Sequence, residues 1–313
     1  MILGRAAAGL SENMRGAVFM MVSMAGFSLN DALIKSVADD LPLYQAVFLR
    51  GLAASLLVAG LAMTQGAARF RPRRRDARLV GWRVFAEVGG TVCFLTALFN
   101  MPIANATAIL QALPLAVTLA AALFLGEPVG WRRYLAIAIG FVGVLIVVRP
   151  GAEGFTVYSL WAIGAIGFIV LRDLTTRSLS PAVPSAWVVL VTTLSITTLA
   201  GLAAVVQGWR PFHLGHVAVL AGSAAFLLVG YVFGVMTMRT GEIGLTQPFR
   251  YTLILWAILF GILFFGEWPD LWMLAGSAIV IATGLYTLQR ERRLGLRRPA
   301  AAPAPHAAPD ARP

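Results

Sequence analysis

The stretch GAVFMMVSMAGFSLNDALIKS, residues 16–36, decides the fold class, because it is long and apolar yet carries three strongly polar side chains. A helix needs about 20 mostly apolar residues to cross about 30 Å of hydrocarbon. This stretch has that length, and its apolar part runs past the usual length of a signal-peptide core. We therefore interpret it as a first transmembrane helix that contains Asn30, Asp31 and Lys35.

The rest of the chain has the composition of a polytopic membrane protein. Of its 313 residues, 59% are hydrophobic and 12% are charged, whereas average globular chains are about 45–50% apolar and about 25% charged. None of the apolar runs has the short alternating pattern of a barrel strand. The runs and their breakers predict an all-α membrane protein with ten transmembrane helices, at 16–36, 43–64, 79–99, 102–125, 129–148, 155–175, 185–206, 215–237, 243–265 and 269–288.

The distribution of arginine predicts the topology. A net charge of +11 would suggest nucleic-acid binding in a soluble chain, but here the arginines cluster in alternate loops and in the tail, as in RFRPRRRDAR at 69–78. The positive-inside rule then places both termini in the cytoplasm, and we expect no nucleic-acid partner. Residues 1–15 should form a cytoplasmic segment, and residues 289–313 a disordered basic and Pro/Ala-rich cytoplasmic tail.

Two pairs of motifs indicate an internal repeat. DALIKS at 31–36 recurs as DLTTRS at 173–178, and LFLGE at 123–127 recurs as LFFGE at 263–267. The two pairs occur in the same order and at nearly the same separation. This agreement favours a duplication of one ancestral unit.

The proposed units are residues 16–148, with spans 1–5, and residues 155–288, with spans 6–10. Each has an odd number of spans, so the second unit must be inverted in the membrane relative to the first. Inverted five-helix repeats build secondary transporters, whose substrate site lies near the midplane where the halves meet.

Few ionisable side chains fall inside the predicted spans, and each costs about 2.5–3.5 kcal/mol at the centre of a lipid-exposed helix. We therefore expect them to line an internal pathway. The candidates for substrate binding are Asn30, Asp31, Arg50, Gln111, Gln247, Arg250 and Tyr251; the candidates for coupling or gating are Lys35, Glu87, Asp173 and Arg177.

Asp31 and Lys35 are four residues apart, so they lie one above the other on a helix, with the acid in the favourable N-terminal position. One interpretation is a structural ion pair at a helix end. The other is a gate or coupling pair, which Asp173 and Arg177 repeat at the opposite membrane surface.

In span 9, the stretch LTQPFRYTLILW at 245–256 places Gln247, Arg250 and Tyr251 on one helix face. Pro248 removes a backbone hydrogen bond there and loosens the helix. A planar guanidinium suits a carboxylate, a phosphate or an aromatic ring. The alternative is an arginine that reaches the cytoplasmic interface with its head group.

Glu87 lies four residues after Arg83 in span 3. An ion pair within the helix is one interpretation. If Glu87 is not paired, it is the best candidate for a carboxylate linked to proton or cation movement, because it is the only glutamate in the middle of a predicted span.

These stretches together resemble the drug/metabolite transporter superfamily, in the ten-span group built from two EamA-type repeats. The resemblance rests on NDALIK at 30–35 with FLR at 48–50, on LFLGEPVGWRRYLAIAIGFVGVLIVVRP at 123–150, and on LFFGEWPD at 263–270. With PFRY at 248–251 added, the pattern is similar to the S-adenosylmethionine uptake carriers of intracellular bacteria. The resemblance implies a multi-pass protein of the bacterial inner membrane.

Within the resemblance, Glu87 has no consistent acidic counterpart, and the residues that match are Asn30, Asp31, Lys35, Arg50, Arg250 and Tyr251. We expect an inner-membrane secondary transporter that moves a small polar or amphipathic metabolite by alternating access. An S-adenosylmethionine-like compound, a flavin-like compound or an amino acid would suit these residues.

A proton-coupled exporter of drugs or metabolites is the alternative function. A membrane-embedded enzyme would need a metal-type or nucleophile-type cluster in the spans, which the sequence lacks, so we expect no catalytic residue, metal or cofactor. The expected partners are a small-molecule substrate and the lipid bilayer, with the protein as a monomer or a homodimer.

Overall fold

The regular structure of the protein is helical. The computed structural model describes residues 12–64, 66, 70–124, 130–149, 156–180, 182–239 and 246–295, and these ranges contain no strand. The helices are α1 Glu12–Lys35, α2 Leu43–Thr64, α3 Arg74–Asn100, α4a Ile103–Leu110, α4b Leu113–Phe124, α5 Trp131–Val148, α6 Val157–Arg177, α7 Ser185–Gln207, α8 Leu214–Arg239, α9 Thr252–Phe265 and α10 Leu271–Gly295; a 3-10 turn, Gln247–Tyr251, precedes α9.

Eight helical stretches of the described chain are long and apolar enough to cross a membrane: α1, α2, α3, α4a with α4b, α6, α7, α8, and α9 with part of its preceding turn. Shorter apolar helices, Tyr134–Val148 and Leu271–Thr287, lie in α5 and α10. Large apolar side chains such as Leu56 and Val206 are exposed on the outside. Such a surface suits lipid rather than water, and the protein is a multi-pass membrane protein.

The structure corrects three of the predicted boundaries. α1 begins at Glu12, so the last residues of the predicted N-terminal segment are helical, and α10 continues to Gly295, so a disordered tail cannot begin at residue 289. The continuation is rich in leucine, arginine, glutamine and glutamate, which favour helices. The remainder of the two predicted terminal segments, 1–11 and 296–313, lies outside the described residues.

The third correction concerns span 4, which is two helices rather than one. The chain makes a turn at Gln111 and Ala112 between α4a and α4b. Pro114 follows the turn, and a proline has no N–H with which to donate to the carbonyl four residues earlier. The break therefore lies where the continuous hydrogen-bond ladder would fail.

The two halves of the chain pack against each other helix by helix. α1 packs on α8 and α9, α3 packs on α6 and α7, α2 packs on α7 and α8, and α5 packs on α10. The short helix α4a is central, because it contacts α3, α5, α6, α9 and α10. Its side chains Ile103 and Ile109 are fully buried.

Small residues bring the helices close at these contacts, as is usual between membrane helices. In the contact between α1 and α8, a Cβ added at Gly26 would lie 2.9 Å from the backbone N of Gly230. Ser23 Oγ donates a hydrogen bond of 2.6 Å to the Gly230 carbonyl. The contact between α5 and α10 likewise brings Gly143 and Gly276 together.

One acidic residue fixes the start of α10 outside the spans. Asp270 Oδ1 accepts the Met273 N–H at 2.7 Å, the geometry of an N-cap, and Oδ2 binds Arg149. Partial burial alone would raise the pKa of Asp270, but the Met273 N–H and the Arg149 guanidinium hold it below its usual value.

We expect Gly26→Ala to destabilise the protein, because the added Cβ meets backbone atoms of α8 that cannot rotate away. Overpacking of this kind costs about 1–3 kcal/mol. The matched control is Gly167→Ala in α6, where an added Cβ meets nothing within 4 Å. The measurement is the Tm of the purified protein in detergent, and equal Tm values for the two variants would contradict the close contact.

Candidate functional site

A broken helix and a 3-10 turn meet in the interior. α4 is broken at residues 111–112, and α9 begins with the 3-10 turn that ends at Tyr251. Gln111 Nε2 donates a hydrogen bond of 3.2 Å to the Tyr251 carbonyl, which joins the break in α4 to this turn. Irregular backbone at membrane depth occurs where it is buried in protein or lines a water-filled cavity.

The first polar cluster consists of Asn30, Asp31, Arg50 and Ser223, from α1, α2 and α8. Asn30 is its centre: its Oδ1 accepts from Ser223 Oγ at 2.8 Å and from Arg50 Nη1 at 3.4 Å. Its Nδ2 donates to Asp31 Oδ1 at 2.9 Å. Because Asn30 lies between the carboxylate and the guanidinium, Asp31 and Arg50 interact electrostatically without forming a direct ion pair.

The second polar cluster consists of Arg83 and Glu87 from α3 with Arg172 and Asp173 from α6. Glu87 pairs with Arg83 at 3.6 Å and with Arg172 at 3.4 Å, and Arg172 also pairs with Asp173 at 2.9 Å. The predicted ion pair between Arg83 and Glu87 is therefore present. The cluster neutralises its own charges.

Arg83 also connects the second polar cluster to α7. It donates to Thr192 Oγ1 at 2.6 Å and to Thr176 Oγ1 at 3.0 Å. These bonds occupy three donors of the guanidinium together with the Glu87 contact. Arg83 is thus fixed by the protein and has little capacity left for a ligand.

Arg250 lies beside the second polar cluster and differs from the other arginines. Its side chain is exposed, and within the described chain it makes no hydrogen bond or ion pair. Arg172 and Asp173 lie close enough to interact with it electrostatically. From this exposed guanidinium and its charged neighbours on α6 we infer a solvent-accessible space beside the second polar cluster, which we call the central space.

Tyr231 of α8 also faces the central space. It is exposed, and Arg50 of the first polar cluster and Arg172 of the second both lie within electrostatic range of it. We therefore infer that the central space extends from the second cluster toward the first, past Tyr231.

The structure brings only some of the predicted binding residues together. Asn30, Asp31 and Arg50 are in contact, whereas Arg250 lies near Arg172 and Asp173 of the second polar cluster. Tyr251 and Gln111 are buried at 6% and 5% exposure and contact each other. The Tyr251 hydroxyl lies against Gly284 of α10, so its ring supports the helix packing. The side chain of Gln247 lies outside the described residues.

The predicted pairing of Lys35 with Asp31 was wrong. Lys35 Nζ binds Glu267 Oε1 at 2.6 Å and donates to the Met101 carbonyl at 2.6 Å. Glu267 Oε2 accepts the Ile103 N–H at 2.9 Å. Spacing within one helix could not reveal a carboxylate that arrives from the other half. We call Lys35, Met101, Ile103 and Glu267 the end junction, because they lie where α1, α3, α4a and α9 end or begin.

In the second predicted pair, Asp173 binds its neighbour Arg172. The side chain of Arg177 lies outside the described residues, so the pairing of Asp173 with Arg177 stays a prediction. The sequence reasoning missed Ser223, Tyr231, Arg172 and Glu267 as site residues. Glu267 carried a signal, since it ends the repeated LFFGE motif, whereas Ser223 and Tyr231 lie in an ordinary apolar run.

Comparison with known proteins identifies a transporter family and named relatives. Residues 14–149 match the EamA-like transporter family. The chain is 24% identical over 288 residues to the S-adenosylmethionine uptake transporter of Rickettsia conorii, which covers 91% of this chain and 96% of that protein.

Two further relatives have other named substrates. The riboflavin transporter of Vibrio cholerae is 26% identical over 292 residues, or 91% of this chain and 96% of that protein. The pseudopaline exporter of Pseudomonas aeruginosa is 25% identical over 268 residues, or 85% of this chain and 93% of that protein.

We expect Glu87→Gln to destabilise the protein, because Arg83 would lose its carboxylate and Arg172 would keep only Asp173. A polar group left without its partner in the interior costs about 1–3 kcal/mol. The matched control is Asp270→Asn, which removes a carboxylate from an exposed ion pair and should cost no more than about 1 kcal/mol. Tm measurements compare the two, and a larger loss for the control would refute the structural role of Glu87.

Proposed function

We propose that the chain is a secondary transporter of small zwitterionic or amphipathic metabolites that works by alternating access. The premise is that it belongs to the drug/metabolite transporter superfamily, through the EamA-like domain of its residues 14–149. It is a transporter and not an enzyme. Its relatives are named for S-adenosylmethionine and riboflavin, and compounds of these two kinds are the first candidates for its substrate.

The proposal includes ten spans arranged as two inverted repeats, residues 16–148 and 155–288. The helix contacts support it, because exchanging spans 1–5 with spans 6–10 leaves the most extensive helix pairings unchanged. The contact of α1 with α8 has its counterpart in that of α6 with α3, and the contact of α1 with α9 in that of α6 with α4a and α4b. α5 and α10, which pack together, are then spans 5 and 10.

Two hydrogen bonds support the same symmetry. Ser55 and Thr197 are 142 residues apart and lie 3.2 Å from each other through their hydroxyls. Gln111 and Tyr251 are 140 residues apart and are also hydrogen-bonded. These separations match those of the repeated motifs, so each bond joins a residue to its own counterpart. Such self-pairs lie on a two-fold axis.

The guanidinium of Arg250, which has no hydrogen bond or ion pair with the described residues, is the observation that carries the substrate proposal. Such a guanidinium can bind a carboxylate or phosphate through two parallel hydrogen bonds. In the first polar cluster, Asp31 forms no direct ion pair within the described part of the chain, so it can receive a cationic group. Groups of opposite charge at these two positions suit a zwitterion.

We expect Arg250→Ala to lower the uptake of S-adenosylmethionine, which carries a carboxylate, into proteoliposomes. A hydrogen bond to a charged group contributes about 1.5–3 kcal/mol, which is roughly 10- to 150-fold in affinity. Arg250→Lys should restore little, because an ammonium lacks the planar fork.

The matched control for this prediction is Arg132→Ala, which removes an exposed arginine at the start of α5. It should transport within twofold of the parent. Parental uptake in Arg250→Ala, in a protein of unchanged Tm, would assign Arg250 to contact with the membrane interface instead.

The end junction is proposed as a gate that closes one end of the central space. Lys35 and Glu267 belong to different halves of the chain, and their side chains are only 10% and 19% exposed. The contact ties the end of α1 to the end of α9 and to the start of α4a. Separating the halves at this end requires breaking it, which is the movement that alternating access needs.

We expect Lys35→Met to lower transport about tenfold or more. The exchange Lys35→Glu with Glu267→Lys should not restore it, because a glutamate cannot donate to the Met101 carbonyl and a lysine cannot accept the Ile103 N–H. Transport rates in proteoliposomes test this. The matched control is Arg149→Gln, which removes an exposed ion pair near the same end and should transport within twofold of the parent. Full recovery in the exchanged protein would reduce the junction to a simple ion pair.

The direction of transport has two candidates, since one relative is named for uptake and another is named an exporter. Coupled export would need a carboxylate free to exchange a proton. Glu87 is neutralised by Arg83 and Arg172, which supports a structural role for it, and leaves Asp31 as the candidate. Uptake and efflux under an imposed proton gradient, measured in both directions, decide between the two.

A further inference from the structure

Tyr231 is a large aromatic side chain, among the described residues of the central space, to which the binding of charged groups assigns no role. It is 46% exposed, yet four charged side chains lie within electrostatic range of it: Arg50, Arg83, Glu87 and Arg172. These side chains come from three helices. α2 packs directly on α8, and α3 and α6 carry the second polar cluster. A tyrosine directed at lipid would have no such neighbours, so Tyr231 is directed inward.

The position of the Tyr231 ring is fixed by the contact between α1 and α8. The neighbouring residue Gly230 accepts the hydrogen bond of Ser23, and its missing side chain leaves room for the Phe27 ring. Phe27 meets Tyr231 edge to face, with ring centroids 5.4 Å apart and an interplanar angle of 89°. The edge-to-face geometry is the favourable one for aromatic pairs. It covers at most one face of Tyr231.

The free surface of Tyr231 has the properties of a ring-binding site. An exposed tyrosine face stacks on a planar ring, and its hydroxyl, which has no hydrogen bond within the described chain, can contact polar atoms at the ring edge. Arg50 and Arg172 lie within electrostatic range of Tyr231. Guanidinium planes can also stack on aromatic rings and attract charged substituents. An acyclic solute could bind to the charged side chains but could not stack on the Tyr231 ring.

We propose that Tyr231, supported by Phe27, binds a planar heteroaromatic ring of the transported solute, and that it selects solutes that combine such a ring with polar or charged groups. This inference rests on the proposed transport function and narrows its substrate class. Simple amino acids would then be poor substrates, although Arg250 and Asp31 could bind their charged groups.

The experiment compares solutes with and without a ring on purified protein in detergent. S-adenosylmethionine and riboflavin carry a planar heteroaromatic ring, and methionine presents the amino-acid end of the former without its ring. Dissociation constants are measured by calorimetry for the parent, Tyr231→Leu, Tyr231→Phe and the control Tyr134→Leu, which removes an exposed tyrosine of α5. Uptake of the same solutes into proteoliposomes is measured in parallel.

We expect Tyr231→Leu to weaken the binding of both ring-bearing solutes about tenfold, a typical effect of losing one aromatic stack, and to change methionine binding less than twofold. Tyr231→Phe should stay within threefold of the parent, and Tyr134→Leu should match it. If Tyr231→Leu does not fold, Tyr231→Met is measured against the same expected values. Methionine also lacks a ring, and its flexible side chain adapts to irregular gaps.

Two results would overturn the ring site while leaving transport in place. They are an equal loss of affinity for methionine and the ring-bearing solutes, and an unchanged affinity for all of them. If the parent protein neither binds nor transports any of the three solutes, the proposed function itself is overturned, and the ring site with it. The parent uptake measurement therefore separates the two failures.

Discussion

The cost of an unpaired polar group in hydrocarbon governs this structure. Each charged side chain costs about 2.5–3.5 kcal/mol at the centre of a lipid-exposed helix, so the chain directs its interior ions toward each other or toward water. Glu87 has two arginine partners, and Asn30 satisfies Asp31 and Arg50 at once. The polar clusters hold α1, α2, α3, α6, α7 and α8 in register, because none of these groups can move to lipid without losing its partner.

The same constraint explains the close packing between the halves. Apolar side chains gain little by leaving lipid for another apolar surface, so membrane helices associate through tight contacts and hydrogen bonds. Gly26 and Gly230 let α1 and α8 approach until Ser23 reaches a backbone carbonyl. On the other side of the protein, the Phe168 ring of α6 occupies the space left by Gly89 of α3, as Phe27 does at Gly230. A rigid wall of this kind is what positions Tyr231.

The sequence predicted much of the fold but less of the site. Long apolar runs identify membrane helices without knowledge of their neighbours, and the prediction of an all-helical membrane transporter is confirmed. Helix ends were misplaced and the break in α4 was missed, since a proline shows only where a ladder is weakened. The site depends on contacts between distant residues. Asn30, Asp31 and Arg50 were found because polar residues stand out in apolar runs, whereas Lys35 was given the wrong partner, because Glu267 is 232 residues away. Tyr231 could be recognised only from the charges that surround it.

The two polar clusters differ in the positions of their cations. Under the proposed repeat, Asn30 and Asp31 of α1 correspond to Arg172 and Asp173 of α6, and Arg50 of α2 corresponds to Thr192 of α7. The second half thus has no cation at the position of Arg50; Thr192 there accepts a hydrogen bond from Arg83 of α3. The cations of the second cluster are therefore Arg83 of α3 and Arg172 of α6, and both are paired with carboxylates. Under the proposed alternating access, the two halves share one fold and exchange roles. The first cluster, in which Asp31 and Arg50 are bridged by Asn30 instead of forming an ion pair, is then the one we propose for the charged groups of a solute.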